Sequence, residues 1–167
     1  MSLFTEPGRR NVVKTISILG AIFAAMVIMN CQPPVDIEAE KVTIRGVLDN
    51  YITSIENEDM ELYGQNMSHD ADMVNFGAFG DPIVGWEALE TLITGQNEAL
   101  SQTKITARDV SIQVAPSGNL AWATSLWNFN AMIGEDPVEW PVRCTWVLEK
   151  RNNVWVIIHF HKSIAAG

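Results

Sequence analysis

Basic residues are scarce in this chain. Its 167 residues hold 11 Lys and Arg against 20 Asp and Glu, a net charge of −9. Arg9, Arg10 and Lys14 all fall within the first thirty positions, where Glu6 is the lone acid. Residues 31–167 are left with 8 basic and 19 acidic groups, or −11. There is no basic stripe, so nucleic acid, which needs clustered Lys and Arg, is excluded as a partner. The acidity reads as solubility. Cysteine is rarer still. Cys31 borders a hydrophobic run and Cys144 lies inside a strand pattern, which argues against a disulfide framework and makes Cys144 a small buried hydrophobe. The only histidines are His69, His159 and His161. A zinc site needs more ligands than the last two supply, and the His69-Asp70-Ala71-Asp72 loop reads as solvated, so no metal is expected. The glycine-rich stretch from Gly77 to Gly85 lacks the Gly-Lys-Ser/Thr ending of a phosphate loop, which rejects nucleotide binding there. No cofactor is expected. Internal repeats and low-complexity segments are also missing.

What is present begins with an address. Arg9-Arg10-Asn11-Val12-Val13-Lys14 precedes the uncharged stretch Thr15 to Asn30, a basic region followed by an apolar one. The order resembles a bacterial twin-arginine signal, and general secretory signals also carry arginine pairs. The run is short of the roughly 20 residues of a comfortable membrane span. Cys31, after Ile28-Met29-Asn30, resembles the lipidated cysteine of a lipoprotein signal, although that pattern wants a small residue where Asn30 stands. Lipidated Cys31 or an uncleaved helix would tether the protein to a membrane. Either places the domain outside the cytoplasm, on the periplasmic side or outer surface of a bacterial envelope. The organisation is then signal or anchor 1–31, linker 32–35 with Pro33 and Pro34, and a domain over 36–167.

Apolar residues make up 47% of the chain, enough for a core. Ile37, Ile44, Leu48, Tyr51, Ile52 and Ile55 recur at helical spacing and predict a helix over 36–57, with Asp36 as its cap. Asp59 predicts a second short helix to about Met67. Residues 72–76 predict a short strand, Gly77 to Gly85 a turn, and Trp86 to about Ser101 a third helix. Four strands follow, near 104–114, 120–132, 138–149 and 154–163. Pro116-Ser117-Gly118-Asn119 and Arg151-Asn152-Asn153 mark turns, so the strands predict an antiparallel meander.

This order, with Gly85-Trp86-Glu87-Ala88-Leu89 before the third helix and Trp155-x-x-x-His159-Phe160-His161-x-Ser163 at the end, resembles the SnoaL-like branch of the nuclear transport factor two-like superfamily. It is also similar to the association domain of calcium/calmodulin-dependent protein kinases. The resemblance implies an α+β, cystatin-like fold, a cone-like curved antiparallel sheet wrapped around about three helices. It also implies a pocket inside the cone and a dimer through the outer sheet face. The superfamily holds cyclases, isomerases, dehydratases and scaffolds, so it leaves activity open.

Alternation along the strands predicts which side chains face inward. Val142, Cys144, Trp146 and Leu148 form one inner set, and Val154, Val156, Ile158, Phe160 and Lys162 another. The expected pocket is Tyr51, Trp122, Thr124, Leu126, Trp146, Phe160 and Lys162. Trp127, Arg143, Thr145, His159 and His161 are expected on the outer face, at a dimer interface. A bulge that reversed the register would instead turn the two histidines inward. Against the kinase association domain, Thr124, Trp146 and Lys162 stand at positions implied to be basic. Lys162 alone keeps the charge, implying that one lysine pairs a carboxylate. Two functions remain open. One is a membrane-tethered binding module for a small hydrophobic or carboxylate-bearing molecule. The other is a cofactor-independent isomerase, cyclase or dehydratase using Asp72, Tyr51 and His159 or His161 as acid/base groups.

Overall fold

The computed structural model describes residues 35–164. Cys31 and the expected export signal lie outside the described residues. Helix α1 spans Ile37–Glu56. The Asp36 carboxylate accepts from the Ala39 N–H at 3.1 Å, and Glu38 and Glu40 meet the positive end of the helix dipole. Ile44, Leu48, Tyr51 and Ser54 form its buried stripe. Helix α2, Met60–Asn66, is capped by Asp59, which accepts from the Leu62 N–H at 2.9 Å. Among the described residues, no helix is long and apolar enough to cross a membrane.

Strands β1, Val74–Asn75, and β2, Ile83–Val84, pair antiparallel. The stretch predicted as a turn therefore also contains a strand. Helix α3 covers Trp86–Ala99. Gly85 before it has φ +80°, and a Cβ there would lie 2.8 Å from the Ala71 carbonyl oxygen. Only glycine fits that approach.

The main sheet is β3 (Ser101–Val114), β4 (Leu120–Ile133), β5 (Asp136–Arg151) and β6 (Val154–Ile164), in that spatial order and antiparallel throughout. Asn152 and Asn153 turn the last hairpin at φ 51° and 64°, the left-handed pair that a two-residue turn demands. The α+β architecture and the meander agree with the sequence. The helices pack on the inner face of the curved sheet, where Tyr51, Leu89, Trp146, Leu148 and Ile157 are buried.

Register corrects two of the predicted faces. In β4, Ala121, Ala123, Ser125 and Trp127 are buried, while Trp122 is 46% exposed. Their partners are Leu148, Trp146, Cys144 and Val142, the inner set of β5. Trp122, Thr124 and Leu126 therefore point outward and Trp127 inward, the reverse of expectation. The inner face of β4 is built from small side chains beside large ones, Ala123 opposite Trp146. In β6, Val147 pairs with His159 but Leu148 pairs with Ile157, leaving Ile158 as an inserted bulge. Trp155 and Ile157 are inward before the bulge, and Phe160 after it. Val154 and Val156 were expected inside but lie on the opposite side to Trp155. The bulge reorients the first half of the strand and leaves His159 and His161 on the outer side.

The segment after α2 runs along the free edge of β6, with parallel bridges from Met67 to Ile157 and from Phe76 to His161. Phe76 N–H donates to the Phe160 carbonyl and Lys162 N–H to the Phe76 carbonyl, both at 2.9 Å.

Candidate functional site

A cavity of about 130 Å³ opens between α3, the β1–β2 loop and the inner sheet face. The sheet supplies Trp127 and Phe129 from β4, Trp140 from β5, and Phe160 and Lys162 from β6. The β1–β2 loop adds Phe79, α3 adds Ile93, Gln96 and Asn97, and the α1–α2 turn adds Glu58. Phe129 and Trp140 stack with centroids 5.5 Å apart, and Phe79 meets Trp140 edge-on at 5.3 Å. Phe79 is itself 65% exposed, so an aromatic side chain stands at the rim.

Lys162 is the ionised group of the inner wall. Alternation after the bulge puts its side chain on the inner face, directly opposite Cys144 on β5. Its Nζ lies 4.8 Å from the Phe160 ring centroid and 5.1 Å from those of Tyr51 and Trp127. Faces of aromatic rings attract a cation. Among the described residues no carboxylate pairs with Lys162, whereas Lys41, Arg45, Lys104, Arg108, Lys150 and Arg151 all have one. The neighbouring ammonium partly offsets the burial that pushes the Cys144 thiol up to about 12. Trp127 is 3% exposed and its indole N–H is a buried donor without an acceptor.

Beneath the cavity lies a closed aromatic floor. The Tyr51 and Tyr63 hydroxyls share a hydrogen bond of 3.3 Å, and burial raises the titration of both phenols. Tyr51 meets Trp146 edge-on at 6.3 Å and Trp127 at the same distance.

Of the predicted pocket residues, Phe160 and Lys162 line the cavity. Tyr51 and Trp146 lie outside its lining, buried behind Trp127 and Phe160, and Trp122, Thr124 and Leu126 lie on the outer sheet face. The four candidate acid/base residues do not converge. Asp72 is exposed and outside the cavity lining, while Tyr51 is wholly buried and engaged with Tyr63. His159 Nδ1 lies 2.6 Å from the Val74 carbonyl oxygen. A carbonyl only accepts, so Nδ1 is the donor in this contact. Phe76 packs edge-on against both His159 and His161, at 5.8 and 5.6 Å. The histidines thus clasp the segment docked on β6. Arg143 and Thr145 lie on the outer face as expected, and Trp127 does not.

Sequence reasoning missed Trp127, Trp140, Phe79 and Glu58 as cavity residues. Leu92 and Ile93 of α3 line the cavity as well. Glu58 carried no signal, because a turn at φ 57° favours glycine rather than glutamate.

The fold is a curved sheet with helices on its inner face and a cavity between them, and the comparisons agree with that class. The SnoaL-like domain family model matches residues 44–167, and the chain belongs to that family. A nuclear transport factor two-like superfamily protein from Salmonella enterica serovar Typhimurium superposes with TM-score 0.71 at 23% identity, over 78% of this chain and 94% of that one. A protein of the same superfamily from Streptomyces avermitilis, with a proposed dehydratase activity, gives TM-score 0.71 at 14% identity, over 78% and 99%. A proposed calcium/calmodulin-dependent protein kinase type II association domain from Thiobacillus denitrificans gives 0.63 at 13% identity, over 74% and 96%. At these identities the likeness is one of fold. No curated protein matches the chain by sequence.

Proposed function

We propose that this SnoaL-like domain is a binding module for a small molecule with an apolar body and a carboxylate, held in the cone cavity. One observation carries the reading: Lys162 presents an unpaired ammonium to a cavity walled by aromatic rings. An apolar cleft with a few fixed polar groups is the usual form of a ligand site. A lone cation there lacks a counter-charge that an acidic ligand supplies. The acid/base alternative has no comparable support, since Asp72, Tyr51, His159 and His161 occupy three separate environments.

Two further elements belong to the same proposal. The outer sheet face, with Trp122, Leu126, Arg143 and Thr145, pairs with a second copy of the chain. Support comes from Trp122, a large ring 46% exposed near one end of that face. The basic and apolar pattern before Cys31 supports export and tethering to a membrane of the cell envelope.

Calorimetric titration of the purified chain with hexanoate and with hexanol tests the ligand reading. Hexanoate is expected to bind more tightly. The Lys162→Met variant should abolish that preference, with a loss of roughly tenfold or more in hexanoate affinity. Equal binding of acid and alcohol by the wild-type chain would refute the carboxylate assignment.

A further inference from the structure

Lys162 is the cation of the aromatic wall, its Nζ 5.1 Å from the Trp127 ring centroid and 4.8 Å from that of Phe160. A carboxylate supplies the counter-charge that this ammonium lacks, whereas a ketone or hydroxyl supplies none.

Size narrows the rest of the ligand. A dry cavity of about 150 Å³ accommodates benzene, and this one is about 130 Å³. The walls around that space are aromatic. Trp140 is stacked on Phe129 and met edge-on by Phe79, and Phe160 closes the side next to Lys162. Flat rings gain from offset and edge-on neighbours beyond their buried area. At the rim stands Glu58, for which no ion pair is formed among the described residues. Its negative charge opposes a second acid group on the ligand.

Resting on the carboxylate reading above, we propose that the cavity takes a single-ring aromatic monocarboxylate. The carboxylate pairs with Lys162, and the ring is held among Phe129, Trp140 and Phe160. Fused polycycles are too large, and aromatic dicarboxylates meet Glu58.

The test is calorimetric titration of the purified full chain with benzoate, naphthoate, hexanoate and terephthalate. Benzoate is expected to bind best, with each of the others weaker by roughly tenfold. Lys162→Met should lower benzoate affinity at least tenfold. An unchanged melting temperature would show that the variant folds. Benzoate affinity untouched by Lys162→Met would overturn the carboxylate pairing. If naphthoate or hexanoate matches benzoate, the single-ring assignment is wrong while the carboxylate reading stands. If no acid binds, both fall.

Discussion

At the scale of single residues, burial separates reactive groups from inert ones. Cys144 is a free thiol on the inner face of β5, 3% exposed, beside the cavity but outside its lining. Burial pushes its titration up to about 12. An ordinary thiol near 8.5 is substantially ionised at mildly alkaline pH, and the thiolate is the nucleophile. Cys144 in the native protein should therefore resist iodoacetamide at about pH 8 and react rapidly once the chain is unfolded in guanidinium. Mass spectrometry of intact protein before and after unfolding checks this, and fast native labelling would contradict the burial. The sequence already placed Cys144 inside, because it alternates with Val142, Trp146 and Leu148. Lys162 and Phe160 were legible for the same reason. Trp127 was not, because the neighbouring Trp122 and Leu126 looked like the more apolar set. Side-chain size is a poor guide where a helix lies close to a strand and small residues fill the contact.

At the scale of elements, the caps and turns follow from local chemistry. Asp36, Asp59 and the Asn152-Asn153 pair each do what their type predicts at their position. Faces depend on long-range register, and a bulge rewrites them without altering composition. Ile158 is such an insertion, and nothing in Val156-Ile157-Ile158 marks which residue is the extra one. A polar clamp then fastens one element to another. Arg151, at the end of β5, donates to both carboxylate oxygens of Asp70 at 3.0 and 2.6 Å, joining the docked segment to the sheet. That hydrogen bonding holds the Asp70 carboxyl down to about 2, from 3.8. Since the folded value is the lower, the stabilisation is present above about pH 4 and is lost as pH falls toward 2. Both side chains are about two-fifths exposed, at 39% and 42%, so solvent screens the pair. Its contribution should stay below about 1 kcal/mol. Asp70→Asn should cost that amount at neutral pH and flatten the acid limb of stability. Urea unfolding across that range reads it, and an acid limb as steep as wild type would contradict the clamp.

At the scale of the whole molecule, the sheet has a helix-covered inner face and, among the described residues, a bare outer one. Trp122 and Leu120, 46% and 42% exposed, lie near one end of that bare face. Substituting Trp122→Glu should shift the proposed dimer to monomer in light scattering, with the cavity and its ligand preference intact. An unchanged mass would remove this face as the contact. Trp127→Glu, by contrast, places a charge beneath α1, and should unfold the domain rather than divide it.

The two borders of the sheet are unlike each other. The β6 border is occupied by the segment from Met67 to Phe76, which hydrogen-bonds along it. The β3 border is bent twice, with register shifts near Gln102 and Asp109, both at φ 53°. Glu56 reaches over from α1 to accept from the Ile105 N–H at 2.7 Å, taking up a backbone donor on that border. A straight strand with free amides is a template on which other chains assemble into cross-β fibrils. Kinked and partly plugged on one side and occupied on the other, this sheet resists growth by strand addition. The proposed tethering to a membrane would concentrate the chain and sharpen that hazard.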